Sequence, residues 1–272
     1  MKKFTVLVSI VLIIFGLVGC NTTQKTNSTQ GSTPSPQQNT SAAKTTLTVA
    51  AASDLTKAFA EIGAAFEKAN NCTVTFSFGS TGTLSEQIAN GGPFDVFASA
   101  DESVIDDLDK KGFLVSDTKQ LYALGRIGIA TSKNSKIQAI TMEDLLKPEI
   151  KKIAIANPEH APYGLAAKQA LETAGLWDQL QSKMVYGKNI SETLTFITTG
   201  NADAGFIALS LKDDKTLNFN LIDQKMHQPL KQAMAVIKNT KQEDLARKFV
   251  QYVNSNEGKT IMSKYGFVVP EK

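Results

Sequence analysis

Four segments of the sequence place small hydroxyl residues or glycines between a predicted strand and a predicted helix. They are residues 50–53, 78–82, 157–164 and 187–191. The first N–H groups of a helix have no partner within it, and the positive end of the helix dipole lies behind them. Such helix starts bind anions readily. The segments contain no Arg and a single Lys, Lys188, so they indicate neutral hydrogen-bond donors for a fully deprotonated anion.

Ordinary helix capping is the alternative explanation for each Ser or Thr taken singly. A receptor for a protonated anion would also need an acceptor facing the ligand. Asp54 is the candidate acceptor, although we expect it in the first helical turn, where a carboxylate complements the dipole. Four such segments in one α/β chain favour their convergence on one cleft.

Predicted strands and helices alternate along the body of the chain. Residues 47–52 and 72–78 are short apolar or β-branched runs typical of strands, whereas Leu55, Phe59 and Ile62 share the spacing of one helix face. This alternation predicts parallel α/β sheets, whose ligands bind beyond the carboxyl ends of the strands. A body longer than about 200 residues tends to divide its core, so we expect two lobes.

The division into lobes follows from where strands pass between them. Residues 124–131 and 233–237 are the predicted crossings. Residues 45–124 plus 237–272 are therefore assigned to lobe I and residues 125–236 to lobe II.

The first 44 residues have the features of an export signal and a tether. Lys2 and Lys3 precede a short apolar run, which predicts a signal peptide over residues 1–19. Residues 17–20 (LVGC) resemble a bacterial lipoprotein cleavage site, which would leave Cys20 to carry the lipid. A plain signal peptide or an uncleaved anchor is the alternative. Residues 20–44 are polar and predict a flexible linker from a membrane surface on the outer side of the cell.

Composition excludes several classes of function. The formal net charge of +3 falls to +1 without Lys2 and Lys3, so the chain lacks the basic surface expected for nucleic-acid binding. Two cysteines and two distant histidines do not predict a metal site. No cofactor is expected.

An ordered set of segments resembles the molybdate-binding proteins of ABC transporters. The segments are residues 49–53 (VAAAS), 77–84 (SFGSTGTL), 94–101 (FDVFASAD), 157–164 (NPEHAPYG), 203–206 (DAGF) and 265–267 (YGF). The resemblance covers the body from Leu47 to Pro270. It implies a two-lobed periplasmic-binding-protein fold of type II, with a mixed sheet flanked by helices in each lobe. It further implies a monomer that takes molybdate or tungstate and delivers it to a membrane permease.

The resemblance also implies which residues hold the oxyanion. Ser53 and Thr81 would each supply a hydroxyl and an amide, and Tyr163 and Ile190 would each supply a backbone N–H. Ser80 is a further candidate. Some family members carry, at the position of Ala208, a Tyr whose hydroxyl contacts the ligand. Position 208 is therefore a candidate for the binding site, but Ala208 has no side-chain donor. The Tyr163 hydroxyl or a water molecule is the candidate replacement. Molybdenum would be present only as the centre of the bound oxyanion.

Three other functions compete with this hypothesis. One is a receptor for another tetrahedral oxyanion such as sulfate. Another is an exported hydrolase that uses Ser53 or Ser80 with His160, although no Gly-x-Ser-x-Gly motif is present. The third is a lipoprotein that acts only as an adhesin or sensor. We expect a binding protein and not an enzyme.

Overall fold

The computed structural model describes residues 44–270. The predicted signal peptide, Cys20 and residues 20–43 of the predicted linker lie outside the described residues. Within the described part, no helix has both the length and the apolar character that crossing a membrane requires.

The strands form two five-stranded sheets with the same arrangement. They are β1 (Thr46–Ala52), β2 (Thr73–Gly79), β3 (Val96–Ser99), β4 (Gln120–Gly125), β5 (Ile127–Ser132), β6 (Ile153–Ala156), β7 (Met184–Gly187), β8 (Ala204–Ala208), β9 (Leu217–Leu221) and β10 (Leu230–Val236). The first sheet has the order β2-β1-β3-β10-β4 and the second the order β7-β6-β8-β5-β9. In each sheet, three parallel strands are followed by an antiparallel strand and an edge strand that is antiparallel to it.

Helices connect the strands and flank both sheets. They are α1 (Thr56–Asn70), α2 (Thr81–Ala89), α3 (Glu102–Lys110), α4 (Pro162–Thr173), α5 (Trp177–Leu180), α6 (Ile190–Thr198), α7 (Glu243–Val253) and α8 (Asn256–Lys264). The predicted α/β fold with two lobes, each a mixed sheet with helices, is confirmed.

Burial of apolar side chains explains why these segments take these forms. Five of the seven residues of β1 are fully or almost fully buried, as expected for a strand covered by helices on both faces. On α1, Phe59 and Phe66 point inward at helical spacing. Their rings lie 5.8 Å and 5.2 Å from the ring of Phe249 on α7, so the terminal helices complete the core of the first lobe.

The two crossings between the lobes differ in how well they were predicted. The chain passes from β4 to β5 through a single residue, Arg126, within the predicted segment 124–131. The return lies between β9 and β10, in residues 222–229, so the crossing predicted at 233–237 was wrong. β10 lies between β3 and β4 in the first sheet, although the predicted boundary at residue 236 placed it in lobe II. A strand inside a sheet and a strand between lobes are both buried, so apolar character alone does not distinguish them.

Candidate functional site

A small cavity lies where loops from the two lobes meet. The predicted ligand-binding residues that line it are Ser53, Ser80, Thr81, Tyr163 and Ile190. Ala208 is buried at the end of β8 and is not among the lining residues. The carboxyl ends of β1 and β2 therefore bring the candidates of the first lobe to the same cavity as the starts of α4 and α6.

Ser53 follows β1 directly and opens a 3₁₀ turn that leads into α1. Its side chain is 3% exposed. Its Oγ lies 3.4 Å from the amide nitrogen of Ser191 at the start of α6, and its carbonyl oxygen accepts a hydrogen bond of 2.9 Å from the Ser191 hydroxyl. Ser53 is therefore within hydrogen-bonding distance of the opposite lobe.

At the start of α2, the hydroxyl hydrogen and the backbone N–H of Thr81 are free for a ligand. Ser80 caps the helix, because its Oγ accepts from the amide of Thr83 at 3.3 Å and donates to the Thr83 hydroxyl at 2.8 Å. The Oγ1 of Thr81 accepts from the amide of Ala100 at 3.0 Å, so the Thr81 hydroxyl hydrogen can be donated elsewhere. The side chain of Ser80 is occupied as a cap, whereas Thr81 has both a hydroxyl and an N–H to offer.

The start of α6 repeats this arrangement in the second lobe. The Oδ1 of Asn189 accepts hydrogen bonds of 3.0 Å from the amides of Ser191 and Glu192. The cap thereby engages the second and third amides of the helix. The first amide, that of Ile190, is left at the cavity wall.

Tyr163 is the corresponding residue at the start of α4. Pro162 occupies the first helical position and has no N–H, and the amides of Gly164 and Leu165 donate to the carbonyl oxygen of Ala161 at 2.9 and 3.0 Å. The amide of Tyr163, which lies between Pro162 and Gly164, remains for a ligand. A Cβ on Gly164 would lie 2.0 Å from a carbonyl oxygen of β6, so only glycine lets this helix start so close to the strand.

The hydroxyl of Tyr163 points into a buried polar network instead of replacing the donor missing at position 208. It donates to Oδ2 of Asp54 at 2.9 Å, and Nε2 of Gln232 donates to the same oxygen at 2.7 Å. The hydroxyl of Tyr122 donates to Oε1 of Gln232 at 2.9 Å. Because Tyr163 belongs to the second lobe and the other residues to the first, the network joins the lobes beside the cavity.

The protonation of this network follows from its burial. Desolvation raises the pKa of Asp54 to about 6, although the hydrogen bonds from Gln232 and Tyr163 oppose this effect. Burial, with the nearby Asp54 carboxyl, also raises the pKa of Tyr122 and of Tyr163 well above 10, so both hydroxyls stay protonated. Asp54 does lie in the first turn, as predicted, but its side chain is fully buried and not on a solvated helix surface.

Sequence reasoning did not identify Gln232 or Tyr122 as residues of this region. A signal was available for Gln232, since it is the one uncharged polar residue in the strand 230–236 and is fully buried. A buried amide inside an apolar strand requires hydrogen-bond partners, which marks it as part of a network. Tyr122 carried no such signal.

The loops of the two lobes also touch through their backbones. The amide of Gly82 on α2 donates to the carbonyl oxygen of His160 at 2.9 Å. A Cβ on Gly82 would lie 2.8 Å from the Cβ of His160 and 3.0 Å from its carbonyl oxygen. Glycine is thus needed for this close approach, and the lobes are closed over the cavity.

The chemistry of the cavity wall is that of hydrogen-bond donation without a countercharge. No Lys, Arg or His side chain is among the lining residues, and Asp54 is the ionisable carboxyl there. Lys188 is exposed to solvent. Within residues 44–270, no group of three or more His, Cys, Asp or Glu side chains is arranged to hold a metal ion.

The geometry gives no support to hydrolysis by Ser53 or Ser80. The hydroxyl of Ser80 is engaged by Thr83, and that of Ser53 lies beside the amide of Ser191. His160 contributes its backbone carbonyl to the contact between the lobes. Neither serine is therefore hydrogen-bonded to a histidine base, in contrast to a nucleophile with its activating partner.

Comparison with known proteins gives consistent matches along the body of the chain. The family model of bacterial extracellular solute-binding proteins matches residues 47–268. The molybdate-binding protein of Rhodobacter capsulatus is 33% identical over 220 residues, which cover 80% of this chain and 86% of that protein. A Bacillus subtilis protein, provisionally named an ABC transporter substrate-binding lipoprotein, is 30% identical over 272 residues and 98% of each chain. The solved periplasmic molybdate-binding protein of Azotobacter vinelandii has a TM-score of 0.78 at 28% identity, covering 83% of this chain and 100% of that chain.

These matches confirm the resemblance to molybdate-binding proteins and the two-lobed fold that it implied. They also confirm that the chain is a binding protein and not an enzyme, because the matching family is one of solute-binding proteins. The chain belongs to the family of bacterial extracellular solute-binding proteins.

Proposed function

We propose that this chain captures molybdate, and tungstate as its close analogue, for an ABC importer. The proposal is supported by the neutral donor groups of four residues from the two lobes that line one cavity. The donors are the hydroxyls and amides of Ser53 and Thr81 and the amides of Tyr163 and Ile190. A tetrahedral dianion with no proton of its own needs donors on every side, and all of these groups can donate. The Asp54 carboxyl is the one acidic side chain in the cavity wall.

The strength of such a site is sufficient without a cation. A hydrogen bond to a charged group contributes roughly 1.5–3 kcal/mol net, so six of them contribute on the order of 9–18 kcal/mol before the costs of ordering and lobe closure. Binding in the micromolar to nanomolar range corresponds to about 8–12 kcal/mol. The positive ends of α2, α4 and α6 add to the attraction.

Titration calorimetry with molybdate, tungstate, sulfate and phosphate tests the proposal. Molybdate and tungstate have longer bonds to oxygen than sulfate has. A cavity with fixed donors would leave some unpaired around sulfate, and each buried unpaired donor costs roughly 1–3 kcal/mol. We expect tight binding of molybdate, competition by tungstate, and little competition by sulfate or phosphate. Sulfate binding as tight as molybdate binding would favour the alternative of a general oxyanion receptor.

We propose further that Cys20 carries a lipid that holds the protein at the outer face of the cell membrane. The proposal is supported by the LVGC sequence at residues 17–20 and by the polar linker that follows. The provisional name of the Bacillus subtilis relative agrees with it. Replacement of Cys20 by Ala should release the protein from the membrane fraction, and an unchanged fractionation would contradict the lipid anchor.

The proposed partner of the loaded protein is the permease of the importer, and the proposed oligomeric state is the monomer. A monomer leaves both lobes accessible to a membrane partner. Size-exclusion chromatography with light scattering tests the oligomeric state, with and without molybdate.

A further inference from the structure

Asp54 is a carboxyl group that the proposed function does not use, although it lines the same cavity as Ser53 and Tyr163. Its side chain is fully buried. One oxygen, Oδ2, accepts hydrogen bonds from both Tyr163 and Gln232. The other oxygen, Oδ1, is buried and has no hydrogen-bond partner among the described residues. A charged carboxylate buried in this way is unfavourable, because one oxygen has lost its water without replacement.

The groups around Asp54 offer no positive charge to compensate it. Tyr163 on α4 and Tyr122 on β4 face it as neutral hydroxyls, and Gln232 on β10 faces it as a neutral amide. On the 3₁₀ turn after β8, Ser210 donates to the backbone carbonyl of Asp54 and leaves the carboxyl untouched.

The charged side chains on the packed elements bind elsewhere. The ammonium of Lys57 on α1 donates to the carbonyls of Leu211 and Lys212, and the ammonium of Lys212 pairs with Asp214. The carboxylate of Glu192 on α6 accepts from the amide of Lys188. β2, which also packs on this turn, carries no charged residue.

A dianion in the cavity would lie beside this carboxyl in a region of low dielectric constant. Two like charges at short range in such a region repel strongly, and the usual response is that the carboxyl takes up a proton. We propose that capture of the oxyanion is coupled to the uptake of one proton by Asp54. This inference rests on the proposed function and concerns the regulation of the same site.

The proton balance of the step is simple. A proton from solvent forms an O–H bond at Oδ1, the oxygen without a partner, while Oδ2 keeps its two donors. The carboxyl becomes neutral, and the ligand keeps both of its negative charges. Nothing else is consumed or released. The protonated Oδ1 becomes a hydrogen-bond donor.

The direction of the pH dependence follows from linkage. Burial already raises the pKa of Asp54 to about 6 in the protein without ligand, and a bound dianion raises it further. Below about pH 6 the carboxyl is protonated before the ligand arrives, so the Kd does not change with pH. Between the pKa of the free protein and that of the complex, the Kd rises up to about tenfold for each pH unit. Above the pKa of the complex it reaches a plateau.

Calorimetry on the full mature protein with sodium molybdate tests the inference. Titrations between about pH 5.5 and pH 8 give the Kd, and titrations in two buffers of different ionisation enthalpy give the number of protons bound. We expect a Kd that increases with pH above about 6, with uptake of up to one proton per molybdate near neutral pH. The Asp54→Asn variant keeps an acceptor for Tyr163 and Gln232, so we expect it to fold and to lose the pH dependence.

The matched control is Asp117→Asn. Asp117 is an exposed carboxyl that pairs with Arg247 and does not line the cavity. It should keep the pH profile of the wild-type protein. A wild-type Kd that is constant over the pH range, with no proton uptake, overturns the inference and leaves the proposed function intact. A pH dependence that persists in Asp54→Asn also overturns it. Absence of molybdate binding at every pH overturns the proposed function and this inference together. If the variant fails to fold, a wild-type Kd that is constant with pH, without proton uptake, still overturns the inference.

Discussion

Substitution of Gly82 by Ala should weaken molybdate binding by preventing full closure of the lobes. The added Cβ would lie 2.8 Å from the Cβ of His160 and 3.0 Å from its carbonyl oxygen. Carbon atoms in contact are about 3.5–4.0 Å apart, so the two loops must separate by about 0.7 Å or more. The hydrogen bond between the Gly82 amide and the His160 carbonyl, now 2.9 Å, would then exceed a normal hydrogen-bond length.

The magnitude of the effect follows from the contacts that separation weakens. The lost hydrogen bond contributes about 0.5–1.5 kcal/mol, and the displaced donors of Thr81 add a similar amount or more. A total of about 1.5–3 kcal/mol corresponds to a Kd roughly 10 to 150 times higher. The first lobe itself should not be destabilised, because Ala is a better helix former than Gly by about 1 kcal/mol.

The assay is titration calorimetry with molybdate, accompanied by thermal unfolding of the protein without ligand. Gln87→Ala is the matched control, because Gln87 is an exposed residue of the same helix. It should leave the Kd within about twofold of the wild-type value, as surface substitutions usually do. If Gly82→Ala binds molybdate as tightly as wild type, the contact between Gly82 and His160 is not part of the ligand-bound state and the argument for closure at this point fails.

Three further substitutions test the remaining groups of the site. Ser53→Ala removes a donor of the proposed ligand set. It should raise the Kd of molybdate by about 5- to 150-fold, corresponding to about 1–3 kcal/mol, and should leave the circular dichroism spectrum unchanged. An unchanged Kd would remove Ser53 from the site. Tyr163→Phe removes the hydroxyl that joins the lobes but keeps the backbone amide, so calorimetry should find a smaller rise of about 2- to 12-fold; a larger loss than in Ser53→Ala would contradict the assignment of the amide as the donor. The carboxyl of Asp54 stabilises the fold most when neutral, below about pH 4, and this stability is lost as the pH rises through about 6. Urea unfolding should therefore find Asp54→Asn more stable than wild type by up to roughly 3 kcal/mol at pH 7, with the difference shrinking toward pH 4; a constant difference across this range would show that Asp54 does not titrate as inferred.

The sequence allowed much of the fold to be predicted because its strands are short, apolar and separated by amphipathic helices. β1 begins one residue before the predicted strand 47–52, and Phe59 and Ile62 of the predicted helix face lie on α1. The return crossing was misplaced because β10 is buried on both sides, as a crossing strand would also be. Pairing with β3 and β4 is a long-range property that a local apolar pattern does not encode.

The candidate site could be predicted from helix starts and from the resemblance, since both depend on local sequence. Thr81, Tyr163 and Ile190 each lie at the start of a helix, where an amide stays free of capping. The buried amide of Gln232 indicates a polar network, but its partners Asp54, Tyr122 and Tyr163 could not be predicted. Its members are far apart in the sequence, and their contact depends on how the lobes close.

The passage from β4 to β5 through Arg126 alone has a mechanical consequence. One residue spans less than about 4 Å, so the lobes cannot slide apart along their interface and must open by rotation near this point. A Cβ on Gly125, the last residue of β4, would lie 2.2 Å from the Tyr163 hydroxyl oxygen, which places the tyrosine next to the pivot. Points far from a pivot travel farthest for a given angle. During opening, solvent should therefore reach the outer rim of the cavity first and the Asp54 carboxyl last.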